Sequence, residues 1–210
     1  MDARHDRDGE VLAAMGRRPC PPLGEALTSV VAAWRPVDHA ALDARLDGFA
    51  RPLFAAPPDG KARADALAEL MAGGFRPDPG PAAGLLLDDV LETRRGHPVL
   101  IAAVAAELGR RAGWNVAACS TPRAWYAGLL VDDGLWMIDA TGGADTPEEV
   151  RRHCAHELVF AVLTGLAERL TGPGEAARAE ALRERLAVFP APQPPGENLL
   201  GALWPPAEER

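Results

Sequence analysis

Apolar residues recur at three- and four-residue spacing along the first third of the chain. Leu23, Leu27, Val30, Val31 and Trp34 form one face of a predicted helix, which Pro36 stops. Asp38 is placed to cap a second helix with Leu42, Leu46 and Phe49 on one side, ending near Pro52. A third is predicted from about Asp59 to Met71, before Gly73-Gly74. Arg76–Pro81 reads R-P-D-P-G-P, and so many prolines forbid a helix interior.

The middle changes character. A short helix is predicted at Leu85–Thr93, then a turn at Arg94–Pro98, where Pro98 suits the first position of the next helix. Val99–Ala112 is apolar nearly all round, the mark of a buried helix, and its Arg110-Arg111 end suits the negative pole of the helix dipole. Three strand-like runs follow at Asn115–Ser120, Trp125–Val131 and Leu135–Ile138. Asp132-Asp133-Gly134 predicts a hairpin between the last two. Thr146 as cap, Pro147 and Glu149 predict a helix start, and Leu158, Phe160, Val162 and Leu166 carry that helix to about Leu170. Gly172-Pro173-Gly174 then turns into a final amphipathic helix, Glu175–Val188.

These elements predict an α+β chain in four parts. Residues 1–22 are polar and aperiodic, expected as a disordered arm. Residues 23–145 form one domain, helical over 23–93 with a mixed core at 94–145. Residues 146–188 form a helical hairpin, and the proline-rich 189–210 is expected as a loosely docked tail.

Composition narrows the function classes. Among 210 residues, 22 Lys+Arg stand against 30 Asp+Glu, a net charge of −8, which argues against nucleic-acid binding. No apolar run approaches the ~20 residues of a spanning helix, and Met1–Arg18 has no signal-peptide pattern, so no membrane association is expected. Cys20, Cys119 and Cys154 do not make a disulfide framework, and a reducing cytoplasm is the expected compartment.

The motifs in the middle have a match. Leu91–Arg95 (L-E-T-R-R), Gly96-His97-Pro98 and the helix end L-G-R-R-A-G at 108–113 resemble the SirB1 family, whose members usually read VLERRRGIP before an aliphatic helix and ARRLG. Gly74-Phe75 and the helices before it fit the same family, and the last two helices look like the start of its tetratricopeptide-like part, truncated. The resemblance covers roughly Leu23 to Val188. It implies a transglutaminase-like, papain-like fold, in which a buried helix lies against a small antiparallel sheet.

It also implies a catalytic Cys at the start of the buried helix, a His on the next strand and an Asp on the strand after. A helix N-terminus lowers a thiol pKa, a His takes the proton, and an Asp orients the imidazole. In this sequence Pro98 stands at the Cys position. Arg123 stands at the His position through R-A-W, or Ala124 through the P-G-H-F register, and Asp139 alone is kept. Proline is no nucleophile and Arg stays protonated, so the triad is degenerate and no thiol mechanism is expected.

What remains is a cleft with candidate binding residues Arg94, Arg95, His97, Trp125 and Trp136. Arg94 and Arg95 are expected to pair with Asp88, Asp89 or Glu92, and Cys119 to be core packing. His153 and His156 would share a helix face near Cys154, but two ligands do not make a zinc site, so no metal and no cofactor are expected. The expected role is a non-catalytic domain holding a protein or peptide, with a hairpin that could pair with a second copy as a homodimer. The alternative is a cysteine hydrolase or transglutaminase-type enzyme whose nucleophile has moved to Cys119 or Cys154, served by His97 or His156. A purely helical interaction module is a third reading.

Overall fold

The computed structural model describes residues 10, 12–18, 21–78, 82–132, 134–139, 150–187 and 189. A short helix α1 (residues 12–16) precedes α2 (Leu23–Trp34), α3 (His39–Ala50), α4 (Gly60–Gly74) and α5 (Leu87–Thr93). Asp38 and Asp59 cap α3 and α4 by accepting the N–H groups of Ala41 and Ala62 at 3.0 and 2.8 Å. Strands β1 (Arg76–Pro77) and β2 (Arg95–Gly96) form a small parallel pair on either side of α5 in sequence. Then come the buried helix α6 (Pro98–Arg111), strands β3 (Val116–Ser120), β4 (Trp125–Val131), β5 (Gly134–Ile138) and β6 (Arg151–Arg152), and helices α7 (Ala155–Arg169) and α8 (Ala176–Leu186).

The main sheet runs β5-β4-β3-β6 with every neighbour antiparallel. α6 is the centre of the molecule. Val99 to Gly109 are all buried, and α3, α4, α5, α7, β3 and β4 pack around it. Gly109 permits the close approach of β3, since a Cβ there would meet Val116 Cγ2 at 2.6 Å.

The strand alternation gives the sheet two apolar faces. Val116, Ala118, Ala127, Leu129 and Ile138 join the core around α6. Ala117, Cys119 and Tyr126 form a second cluster, flanked by half-buried Leu130, Leu135, Met137 and Val150.

Three expectations are corrected. The polar N-terminal segment is not wholly an arm, because Leu12 and Met15 are buried in the main core and His156 Nε2 donates to the Met15 carbonyl at 3.1 Å. Residues 1–9 and the cap signal at 146–149 lie outside the described residues, as does most of the 189–210 tail. Helix α7 begins at Ala155, later than the sequence pattern suggests, because Arg151-Arg152 pair as a strand with Ser120 and Cys119. Nor does the C-terminal hairpin stand apart. Arg178 donates to the Trp34 carbonyl at 3.0 Å and lies 3.6 Å above the Trp34 ring, while Arg185 donates to the Ala33 carbonyl at 2.9 Å. α8 therefore caps the carbonyl end of α2. Among the described residues no helix is long and apolar enough to cross a membrane.

Candidate functional site

The site lies at the N-terminal end of α6. Pro98 occupies the first helical position, where its fixed φ suits the helix and its missing N–H removes one donor. His97 is the cap. Its Nδ1 accepts the Val99 N–H at 3.4 Å, and its own N–H donates to the Gly84 carbonyl at 2.7 Å. Burial, reinforced by the charge of Arg169, lowers the His97 pKa.

The strands position the other candidates. α6 is ~20 Å long at 1.5 Å per residue. After the turn at Gly113 (φ 81°), β3 packs against α6 and ends at Ser120. Trp125 lies directly opposite Ser120 on β4. Asp139 follows Ile138, whose partner is Ala127, and so sits level with Tyr126. Trp125 and Asp139 thus lie toward the Ser120 end of the sheet. Trp136 does not, because it pairs with Leu129 at the middle of the sheet and packs into the core.

Arg123 is exposed in the turn between β3 and β4. Thr121 organises that turn: its Oγ1 accepts the N–H of Ala124 at 3.1 Å and of Arg123 at 3.3 Å. Among the described residues the Arg123 guanidinium forms no ion pair, with Asp139 or any other acid.

The two arginines before α6 do not pair with the acids nearest in sequence. Arg35 takes Asp88 at 2.7 Å and Asp89 at 2.5 Å. Arg95 pairs with Asp78 at 3.1 Å instead, and Arg94 ends α5 in the left-handed conformation (φ 57°) with its guanidinium 5.4 Å over Phe49. Both serve the β1–β2 side of the fold.

Two thiols lie among the described residues. Cys119 is buried on the second sheet face, where its S–H leans on the Ala117 carbonyl at 3.7 Å. Burial pushes its pKa up to about 12, the opposite of activation. Cys154 is the cap residue of α7, and its N–H donates to Glu157 Oε2 at 3.0 Å. Among the described residues no three His, Cys, Asp or Glu gather as a metal site.

The residue that sequence reasoning missed is His153. It lies in the extended segment before α7, where its N–H donates to the Ala118 carbonyl at 2.9 Å, so it shares no helix face with His156. Its ring packs against Trp125 at a tilt of 38° with centroids 4.6 Å apart, and Nε2 lies 2.7 Å from Ser120 Oγ. Nδ1 faces Glu157 Oε2 at 3.8 Å, and Glu157 is held by an ion pair with Arg151. Burial draws the His153 pKa down to about 4; Glu157 opposes the shift and Arg151 adds to it. The signal that could have found this site is Glu157 three residues after Cys154, the cap spacing of a helix starting there.

The sequence profile of the transglutaminase-like superfamily matches residues 38–171. The chain belongs to the transglutaminase-like superfamily. The span of this transglutaminase-like domain opens at Asp38, the cap of α3, and closes just past α7, so α1, α2 and α8 flank it. Its mixed architecture, a buried helix against a small antiparallel sheet, is the α+β fold expected of the superfamily. No curated protein matches the chain.

Proposed function

We propose that this transglutaminase-like domain is of the SirB1 type, has given up thiol chemistry, and binds a polypeptide partner in a reducing cytoplasm. The observation that carries the binding role is the second apolar face of the sheet. One face is sealed on α6, while the other leaves Leu130, Leu135 and Met137 half-buried around Tyr126. An apolar face of that kind is a common seat for a protein or peptide.

Pro98 supports the loss of thiol chemistry on two counts. It brings no nucleophile to the start of α6, and it removes a backbone N–H that could have steadied an oxyanion there. The competing reading, a displaced cysteine enzyme, would need an ionisable thiol beside an imidazole, and Cys119 is buried with a raised pKa.

Two measurements test this. Timed iodoacetamide labelling at pH 7 is expected to leave Cys119 unmodified and to find no thiol faster than free cysteine. A fast thiol would overturn the non-thiol reading. Peptides selected on the full chain are expected to lose at least tenfold affinity for M137K. Peptides indifferent to M137K would overturn the sheet-face assignment.

A further inference from the structure

We propose that Ser120 and His153 form a nucleophile–base pair that accepts the acyl group of an ester. This goes beyond the binding role, because it uses a hydroxyl on the helix-facing side of the sheet rather than a thiol or the outer face.

Four observations place the pair. Ser120 Oγ and His153 Nε2 are 2.7 Å apart, the distance of a nucleophile and its base. The imidazole is flanked by the Trp125 ring and by the Glu157 carboxylate opposite Nδ1, and the His153 main chain is tied to the Ala118 carbonyl. Glu157 is itself fixed by Arg151 and the Cys154 N–H, so it steadies a charge forming on the imidazole without moving. Ser120 follows Val116 and Ala118 in the alternation that faces α6, and it is half-buried rather than sealed in the core. A neutral imidazole with its proton on Nδ1, toward Glu157, leaves the Nε2 lone pair to accept from the serine hydroxyl.

The step balances with these groups alone. Ser120 Oγ bonds to the ester carbonyl carbon while its proton passes to His153 Nε2. The bond from that carbon to the alcohol oxygen then breaks, and the alcohol leaves with the proton from Nε2. Water, deprotonated by the same imidazole, attacks the acyl carbon; the bond from that carbon to Oγ breaks, Oγ regains the proton from Nε2, and the carboxylic acid leaves. An ester suits this pair better than an amide. The Val99 N–H is already turned to His97, and an alkoxide leaves more readily than an unprotonated amide nitrogen.

The test is a fluorophosphonate ester added to the full chain at pH 7.5, followed by peptide mapping. Oγ would bond to phosphorus as fluoride leaves and the proton goes to His153. One adduct on Ser120 is expected, absent in S120A and formed about 100-fold more slowly in H153Q, the loss typical of a missing general base. H153N guards against a fold defect particular to H153Q, with circular dichroism checked for each. An unlabelled Ser120 in the unaltered chain, an adduct elsewhere only, or unchanged rates in folded H153Q and H153N would overturn the proposal. None of these outcomes touches Met137 or the thiols, so this proposal and the binding role fail separately.

Discussion

Glu107, on the buried helix, accepts the backbone N–H of Gly24 at 3.1 Å from 83 residues away in sequence. Helix α2 begins after Pro22, which has no side-chain oxygen to cap it, so the free N–H groups of its first turn need another acceptor. Glu107 supplies one. Its second oxygen binds Arg111 at 2.9 Å, and Arg111 also pairs with Asp43 and with Asp47 on α3. One carboxylate therefore joins α2, α3 and α6.

Removing that carboxylate uncaps α2 and leaves Arg111 to its pairs with Asp43 and Asp47. E107A is expected to cost about 1–3 kcal/mol, the scale for leaving a buried donor unsatisfied. E107Q should cost less, because an amide oxygen can still accept from Gly24. Urea unfolding of both variants checks the order, and equal losses would mean the hydrogen bond to Gly24 contributes little.

Two helical glycines should respond in opposite directions to alanine. At Gly24 a Cβ would lie 2.5 Å from Glu107 Oε1, so G24A must displace the cap and is expected to destabilise. At Gly48, in exposed α3, a Cβ meets nothing within 4 Å, and G48A should stabilise by about 0.5–1 kcal/mol through helix propensity. Thermal midpoints of the two variants moving the same way would contradict this.

His153 makes folding sensitive to mild acid. Its pKa is about 4 in the folded chain against 6.5 ordinarily, so between these values the unfolded chain binds a proton that the folded chain refuses. Its contribution is complete above about pH 6.5 and is lost as pH falls toward 4. His97, also lowered by burial, acts in the same direction. The thermal midpoint of H153Q should therefore drop less between pH 7 and pH 4.5 than that of the unaltered chain. Parallel curves would show that this imidazole is not the titrating group.

The C-terminal helix should stabilise α2 through its arginines. R178A and R185A each remove a bond to the last carbonyls of α2, and R178A also removes the stack on Trp34. Each is expected to cost about 1 kcal/mol. Hydrogen exchange at the end of α2 should rise in both, and exchange that stays at its original rate would separate α8 from α2 energetically.

The sequence by itself determined what neighbours decide among themselves. α2 and β4 fall where periodicity puts them, and the caps at Asp38 and Asp59 form as their side chains predict. Pro98 opens α6 because its fixed φ and missing N–H suit a first turn. These are contests within a few residues, and the local pattern states their outcome. What only the tertiary structure decided is which distant groups meet. Arg35 took the carboxylates expected for Arg94 and Arg95, and residues 12–16 folded onto α7 because buried Leu12 and Met15 complete its core. His153 meets Ser120 only because β6 pairs with β3, a register set across 30 residues by hydrogen bonds that leave no periodic trace. Side-chain chemistry can be read along the chain, but its partners are chosen by the packing around α6.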